Sequence, residues 1–252
     1  MLPVALTIAG SDPSGGAGLQ ADLKTFHRFG VYGEAVVTLV TVQNTVALER
    51  VETLAADLVL AQMRAVLADI PPGAAKTGAL GDANVIEAVA AHDFAFPLVV
   101  DPVGIAKLGA RLGDLSALRK LIARAYLLTP NLDEASELAG FTVDDRDSML
   151  RAAELLIAMG ARNVLVKGGH LKGDALDLLY LEGGEVREFL APRIETRHTH
   201  GTGCTYSAAI TAELAKGTSL VGAVSLAKTF VTEAIRSNPG LGKGSGPLNH
   251  FA

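Results

Sequence analysis

Short apolar runs that are rich in β-branched residues alternate along this chain with segments in which apolar residues recur at helical spacing. The runs occupy residues 4–10, 35–43, 97–103, 125–131 and 163–169. The helical segments include residues 57–70, 84–92 and 147–160, the last of which stops at Gly160. Strands that alternate with helices are typical of a parallel sheet with helices on both faces. We therefore predict an α/β fold of three layers, helix, sheet and helix, with a mostly parallel central sheet.

Residues 176–194 follow a different pattern, because two apolar stretches flank a Gly-Gly pair. This order of strand, turn and strand is typical of an antiparallel hairpin, which we place at one edge of the sheet. The chain contains no linker-like segment, no low-complexity segment and no internal repeat. We therefore predict one domain that spans residues 1–252, a length that α/β folds often use as a single unit.

The composition argues against several classes of protein. The formal net charge is −5, so we do not expect a basic surface for nucleic acid. No apolar run reaches about 18 residues, so we expect no membrane span. The chain has 1 cysteine, which cannot form an internal disulfide, and we therefore expect a reducing, cytoplasmic environment.

Polar residues and glycines gather directly after the predicted strands. The segments are GSDPSGGAG (10–18), QN (43–44), DPV (101–103), TPN (129–131), KGGH (167–170) and GTGC (201–204). Ligands of open α/β sheets bind beyond the carboxyl ends of the strands. The recurrence of such loops therefore predicts a binding site at that edge of the sheet.

Familiar nucleotide and metal motifs are absent or incomplete. No segment matches the G-x-x-x-x-G-K-[ST] phosphate loop. The segment GKGSG (242–246) contains a lysine, but no helix is predicted to follow it. Gly16, Gly18 and Ala21 approach the dinucleotide fingerprint, but the acidic residue expected about 20 residues later is missing. A zinc site is not expected either, because a single cysteine and scattered histidines do not provide zinc spacing.

Residues 198–210, HTHGTGCTYSAAI, carry the strongest local signal. Gly201 and Gly203 leave backbone N–H groups unshielded where a helix begins, and the helix adds the positive end of its dipole. This combination predicts an anion hole suited to a phosphoryl group. Cys204 lies at the same helix start, where we expect a lowered thiol pKa and a role as base or nucleophile. The alternative is that Cys204 is a small buried side chain with no chemical role.

The two histidines that precede this helix could pair with the thiol in a Cys–His nucleophile. Neighbours in a loop need not face the thiol, however. For His198 and His200 we therefore prefer capping or loop hydrogen bonds.

Charged and polar residues at other strand ends are candidates for binding phosphate or metal. Lys167 follows a buried run and suits a nucleotide phosphate as a point charge. Asp101 also follows an apolar run, where a carboxylate is costly unless it is paired, so a metal or hydrogen-bonding role is favoured. Asn131 and Glu134 fit either a helix-capping box or contacts to a nucleotide and Mg²⁺.

The chain contains, in this order, the blocks ALTIAGSDPSGGAGLQADLKTF, TVQNT, AAKTGAL, VVDPV, LLTPNLDEA, VLVKGGH, HTHGTGC and GKGSGPLNHF. With these blocks it resembles the hydroxymethylpyrimidine/phosphomethylpyrimidine kinases of thiamine biosynthesis, members of the ribokinase superfamily. The resemblance implies a ribokinase-like fold, the cofactors ATP and Mg²⁺, and a homodimer. It also implies two reactions, which phosphorylate 4-amino-5-hydroxymethyl-2-methylpyrimidine on its hydroxymethyl oxygen and then convert the monophosphate to the diphosphate.

The resemblance further implies roles for individual residues. Cys204 stands where the superfamily has an aspartate base, and Gly201, Thr202 and Gly203 would bind the transferring phosphate. The residues that would contact the pyrimidine are Gln43, Gly10, Ala17, Asp22 and Val103. The residues that would face the nucleotide are Lys167, Asn131 and Lys228, and those that would hold Mg²⁺ are Asp101 and Glu134.

The chain departs from the family pattern at Ala79 and Gly104, where many relatives carry methionine. The smaller residues imply a roomier pocket, which keeps open a pyridoxine/pyridoxal kinase with the same mechanism. A kinase of the second step only is also compatible with the resemblance. Outside the kinases, the fold could serve a non-catalytic ligand-binding protein, and the thiol could serve a Cys-dependent hydrolase.

Overall fold

The computed structural model describes residues 2–104, 117–169, 171 and 173–252, and the strands in these ranges form one sheet. The strands are β1 (Val4–Ser11), β2 (Tyr32–Gln43), β3 (Leu48–Thr53), β4 (Ala74–Thr77), β5 (Leu98–Val100), β6 (Leu127–Leu128), β7 (Val164–Gly168), β8 (Ala175–Tyr180) and β9 (Val186–Ala191). The helices are α1 (Gly18–Arg28), α2 (Ala56–Asp69), α3 (Ala83–Ala90), α4 (Leu118–Ile122), α5 (Leu132–Ala139), α6 (Arg146–Ala158), α7 (Thr202–Ala215) and α8 (Leu220–Arg236).

The sheet has the order β3-β2-β1-β4-β5-β6-β7-β8-β9. Among the described residues, six neighbouring strands in the middle of the sheet pair in parallel, in the order β2, β1, β4, β5, β6 and β7. The other three described strands, β3, β8 and β9, pair antiparallel with their neighbours. The predicted α/β class, the mostly parallel sheet and the edge hairpin of β8 and β9 are confirmed. The antiparallel β3 at the opposite edge was not predicted.

The sheet separates two apolar layers, and alternate residues of the central strands point into each. Leu98 and Val100 of β5 pack in a cluster with residues of α3, α5 and α6. Val99 between them packs in a second cluster with residues of α7 and α8. Because a strand projects successive side chains to opposite faces, this alternation produces the predicted helix–sheet–helix layering.

The helices keep close to the bounds that the sequence predicts. Residues 57–70, 84–92 and 147–160 correspond to α2, α3 and α6. Gly160 follows the end of α6 with a φ of +111°, a backbone conformation that favours glycine after a helix. No helix among the described residues is both long and apolar enough to cross a membrane.

The short, fully buried strand β4 is missing from the sequence prediction. Its four residues, Ala74–Thr77, include Lys76, and a lysine inside an apolar run argues against a buried strand. β4 lies between β1 and β5 near the middle of the sheet. The parallel strands direct their carboxyl ends, including that of β4, to the edge of the sheet where the predicted loops lie.

Candidate active site

Glycines build the start of α7 where it meets the loop after β1. Gly201 is the N-cap of α7 and has a φ of +79°, which a residue with a side chain rarely adopts. A Cβ atom at Gly201 would also overlap the carbonyl oxygen of Gly16. The hydroxyl of Thr202 donates to the carbonyl of Thr199 at 2.9 Å and fixes the first turn. The geometry therefore brings the predicted anion hole against the glycine-rich loop of residues 10–18.

Lys167 and Asp101 lie beside this helix start. A Cβ atom at Gly203 would lie 3.4 Å from Lys167 Nζ and 3.7 Å from Asp101 Oδ2. Lys167 Nζ donates to Asp101 Oδ1 at 2.9 Å, and both side chains are largely buried. The hydroxyl of Ser207 donates to Asp101 Oδ2 at 3.3 Å. The ends of β5 and β7, which are distant in sequence, thus place a cation and a carboxylate next to Gly203, as the strand-end pattern predicts.

Asn131 and Glu134 form the capping box at the start of α5. The Glu134 N–H donates to Asn131 Oδ1 at 2.9 Å, and the Asn131 N–H donates to Glu134 Oε2 at 2.9 Å. Burial raises the pKa of Glu134 to about 7, although the nearby Lys167 opposes this shift. The capping interpretation is confirmed, and the electrostatic interaction with Lys167 and Asp101 places Glu134 at the rim of the same site.

The pKa of the Cys204 thiol is shifted in the direction opposite to the one predicted from the sequence. Burial, together with the carboxylates of Asp22 and Asp101, raises the pKa of Cys204 to about 12. The Lys76 ammonium and the Gly18 N–H act in the opposite direction. The expected lowering of the Cys204 pKa is therefore wrong. The loss of hydration raises this pKa by more than the Lys76 ammonium, the Gly18 N–H and the helix dipole lower it.

Lys76 is a site residue that the sequence analysis missed. Its ammonium lies 2.8 Å from Asp22 Oδ2, and neither side chain is exposed to solvent. The hydroxyl of Thr7 donates to the same oxygen at 2.6 Å, while Asp22 Oδ1 is buried without a hydrogen-bond partner. Burial lowers the pKa of Lys76, but the Asp22 carboxylate and, more weakly, that of Asp101 raise it overall, which keeps the ammonium charged. An isolated lysine in an apolar run was the signal that could have identified it.

The other predicted pyrimidine contacts lie on strand ends and loops around α1. Gly10 is near the end of β1, and a Cβ atom there would lie 2.5 Å from Leu39 Cδ1. Ala17 is the N-cap of α1, and Gln43 is the last residue of β2. Val103 is half-buried after β5, and its N–H donates to the Asp101 carbonyl at 2.9 Å. Their contacts to a substrate stay predictions.

The two positions that depart from the family pattern also lie at strand ends. Ala79 follows β4, and its carbonyl accepts from the Thr38 hydroxyl at 2.6 Å. Gly104 is buried in the loop after β5. Both smaller residues therefore lie in loops that follow strands of the central sheet.

Lys228 makes contacts that its predicted role did not include. Its Nζ donates to Asp177 Oδ2 at 2.6 Å and to the Ala175 carbonyl at 3.0 Å. Asp177 Oδ1 accepts from the Gly168 N–H at 3.1 Å, next to Lys167. The Lys228 ammonium is therefore paired with a carboxylate and supports the end of β7, and direct contact with a nucleotide stays a prediction.

His200 connects the loop before α7 to the loop after β1. Its Nε2 lies 2.8 Å from Asp12 Oδ2, which also accepts from the Ala17 N–H at 2.9 Å. Burial raises the pKa of Asp12, but hydrogen bonds from His200 and Ser14 outweigh this effect and lower the pKa to about 2. The ring of His198 also takes part in loop bonding, since its Nε2 accepts from Arg197 Nε at 3.3 Å. The preference for loop hydrogen bonds is thus confirmed for both histidines, but the Asp12 partner was not foreseen.

Comparison with known proteins agrees with this geometry. Residues 12–249 match the protein family described as phosphomethylpyrimidine kinase. The chain is 46% identical over 257 residues to a hydroxymethylpyrimidine/phosphomethylpyrimidine kinase of Bacillus subtilis, covering 98% of this chain and 94% of the relative.

Solved structures include two kinds of similar enzyme. A pyridoxal kinase from Staphylococcus aureus, in complex with AMP-PCP and pyridoxal, is 36% identical with a TM-score of 0.89, covering 100% of this chain and 95% of that one. A phosphomethylpyrimidine kinase from Clostridium difficile is 41% identical with a TM-score of 0.81, covering 92% and 99%. The described fold is therefore the ribokinase-like fold that these kinases share.

Proposed function

The chain belongs to the phosphomethylpyrimidine kinase family, and we propose that it transfers the γ-phosphoryl group of ATP to 4-amino-5-hydroxymethyl-2-methylpyrimidine. As a member of this family it is a phosphotransferase of thiamine biosynthesis. The first transfer forms the monophosphate at the hydroxymethyl oxygen, and the second adds a phosphate to that monophosphate. The bound AMP-PCP of the S. aureus pyridoxal kinase supports ATP as the donor.

The observation that carries this proposal is the position of Gly203. It lies in the first turn of α7, and it is adjacent to both Lys167 and Asp101. The positive end of the helix and the lysine both favour the charge of a transferring phosphoryl group. The loop of residues 10–18 touches the same helix start through Gly16, so a substrate held by that loop would meet the phosphate there.

In the proposed reaction the substrate hydroxyl attacks the γ-phosphorus while the bond from that phosphorus to ADP breaks. The hydroxyl proton passes to the sulfur of Cys204. Because this thiol has a pKa of about 12 in the ligand-free protein, it accepts the proton only in its minor thiolate form. Phosphoryl transfer depends mainly on positioning and charge stabilisation, so the N–H groups at Gly201–Cys204 and Lys167 contribute more to the rate than the base.

Two carboxylates of the site, Asp101 and Glu134, supply the kind of oxygen that a magnesium ion binds. Mg²⁺ prefers oxygen ligands and is usually bound by one or two carboxylates together with substrate phosphates and water. Asp101 and Glu134 both interact electrostatically with Lys167 and supply such oxygens. In this proposal they would hold the ion, whose charge would offset that of the phosphates. Asn131 and Lys228 would complete the nucleotide side, the latter through Gly168.

A pyridoxal kinase is the second candidate function. The S. aureus pyridoxal kinase covers the whole of this chain, and its substrate also carries a hydroxymethyl group. Ala79 and Gly104 provide less bulk than methionine, which favours a broader choice of ring. The same anion hole and thiol would serve either substrate, so the two functions differ only in the pocket.

Four broader predictions accompany this function. A single kinase domain over residues 1–252 is supported by the placement of the described strands in one sheet. A cytoplasmic location is supported by the single cysteine, which forms no internal disulfide. The homodimer rests on the family resemblance. The absence of nucleic-acid binding rests on the net charge of −5. Analytical ultracentrifugation of the purified chain tests the dimer.

Mass analysis of the products tests the proposed two-step reaction. The chain is incubated with ATP, Mg²⁺ and the free pyrimidine alcohol, and aliquots are analysed over time. We expect the monophosphate to form first and the diphosphate to follow. Accumulation of the monophosphate alone would contradict the second step, and no product from the alcohol would limit the chain to the monophosphate as substrate.

A further inference from the structure

A glycine-rich segment near the C-terminus, residues 242–248, lies between the turn after β2 and the loop before α7, and we call it the strap. It meets the turn of residues 44–47, called the flap turn, which connects β2 to β3. The Gly244 N–H donates to Thr45 Oγ1 at 3.3 Å, and the Ser245 N–H donates to the Thr45 carbonyl at 3.0 Å. Two backbone donors of the strap therefore converge on one residue of the flap turn.

The strap and the flap turn approach so closely that side chains are excluded between them. A Cβ atom at Gly244 would overlap the Thr45 carbonyl oxygen, and one at Gly242 would overlap the Thr45 side chain. The φ of Gly244 lies outside the left-handed region, so its backbone conformation is open to any residue. Glycine is therefore required at position 244 for close approach and not for conformation.

The other side of the strap is joined to the loop before α7. The Ser245 hydroxyl donates to the Arg197 carbonyl at 2.9 Å, and the His200 N–H donates to the Gly246 carbonyl at 3.1 Å. His200 directly precedes Gly201, the N-cap of the anion-hole helix. The strap thus links the flap turn to the helix start by backbone contacts on both sides.

The flap turn is closed by hydrogen bonds of its own and directly follows Gln43. Asn44 Oδ1 accepts from the N–H groups of Val46 at 2.9 Å and Ala47 at 3.0 Å, and the Asn44 N–H donates to the Ala47 carbonyl at 2.9 Å. A tight turn of this kind transmits a displacement of Thr45 to the preceding strand end. The position of the Gln43 side chain therefore depends on where the strap holds Thr45.

We propose that Gly244 and Thr45 are positioning residues, through which the strap holds Gln43 at a fixed distance from the anion hole and so sets the affinity for the pyrimidine. The proposal rests on the proposed function in one respect, the contact of Gln43 with the substrate ring. The nucleotide candidates Asn131 and Lys167 lie at the ends of β6 and β7, so loss of the contact between the strap and Thr45 should affect mainly the pyrimidine.

The decisive test is the steady-state kinetics of Gly244→Ala. We expect the KM for the pyrimidine alcohol to rise about tenfold over the wild-type value. We expect kcat to stay within about threefold, and the KM for ATP within about twofold, of the wild-type values. Thr45→Val removes the hydroxyl acceptor at similar volume and should raise the pyrimidine KM by a smaller factor. Lys243→Ala is the matched control, because this exposed side chain lies in the same strap and both KM values should stay unchanged.

Two kinetic results would overturn the proposal. One is a pyrimidine KM for Gly244→Ala that matches the wild type. The other is an equal rise in both KM values, which would indicate general damage to the fold. Gln43→Ala is measured in parallel, and an unchanged pyrimidine KM in that variant would remove the assumed substrate contact instead.

Hydrogen–deuterium exchange of the wild-type chain keeps the proposal testable if Gly244→Ala does not fold. The amide of Ser245 should exchange slowly, because it donates to Thr45, and saturating pyrimidine should slow both it and the flap turn further. Rapid exchange of that amide in the presence and absence of pyrimidine would show that the strap does not hold the flap turn.

Discussion

The ammonium of Lys76 and the carboxylate of Asp22 lie 2.8 Å apart, and both side chains are completely buried beneath the site. Lys76 is on β4 and Asp22 is on α1, so the pair joins the middle of the sheet to the helix that begins at Gly18. The same ammonium interacts electrostatically with Cys204. The pair therefore connects the sheet to α1 and contributes to the electrostatic environment of the Cys204 thiol.

Breaking this pair should destabilise the protein strongly. Lys76→Met leaves the Asp22 carboxylate buried without its cation, which typically costs about 3–5 kcal/mol. The double variant Lys76→Met/Asp22→Asn removes both charges and should recover much of that loss. Urea unfolding followed by circular dichroism measures the free energies. Lys120→Met is the control, because it removes one partner of the exposed pair with Glu87 and should change little. A Lys76→Met variant as stable as this control would contradict the account.

The thiol of Cys204 should resist alkylation in the folded, ligand-free protein. Only the thiolate reacts, and a pKa of about 12 leaves very little thiolate at about pH 8. The chain has 1 cysteine, so the mass added by iodoacetamide reports this side chain alone. The same reaction in guanidinium chloride is the control and should be fast. Alkylation of the folded protein at the rate of the unfolded chain would show that burial does not suppress the thiolate.

Replacement of the thiol should reduce turnover while preserving binding. Cys204→Ala removes the proton acceptor but leaves the backbone of Gly201–Cys204 in place, and we expect kcat to fall about a hundredfold. The dissociation constant of the pyrimidine, measured by isothermal titration calorimetry, should stay within a few-fold. If kcat of the variant is near normal, Cys204 is not the base.

The contact between Asp12 and His200 should appear in the acid stability of the protein. The folded pKa of Asp12 is about 2, below its ordinary value of 3.8, so the charged carboxylate stabilises the folded state. That contribution is complete above 3.8 and is lost as the pH falls toward about 2. The difference in unfolding free energy between wild type and Asp12→Asn should therefore shrink across this range. The exposed Asp57→Asn serves as the control. A difference that stays constant with pH would exclude this contribution from Asp12.

The features that depend on residues close together in the sequence could be predicted. The alternation of strands and helices indicated the layered fold, and the glycines before Cys204 predicted an anion hole at the start of α7. Lys167 and Asp101 were recognised because a charge after a buried run needs a partner. Each of these inferences uses residues that are close in sequence.

The parts that depend on distant partners could not be predicted. β4 was missed because its lysine is neutralised by Asp22, which is 54 residues away along the chain. The partner of His200 lies 188 residues away, and no local pattern indicates it. The pKa of Cys204 was predicted in the wrong direction, since the helix start is visible in the sequence but burial is not.

The central claim is that this site phosphorylates the hydroxymethylpyrimidine, and the most direct test is ADP release with ATP and Mg²⁺. The pyrimidine alcohol and pyridoxine are offered in parallel reactions, and kcat/KM is compared. The account predicts a clear preference for the pyrimidine, which would make Ala79 and Gly104 neutral differences. A preference for pyridoxine would contradict it, and would assign the same fold and anion hole to a pyridoxine kinase.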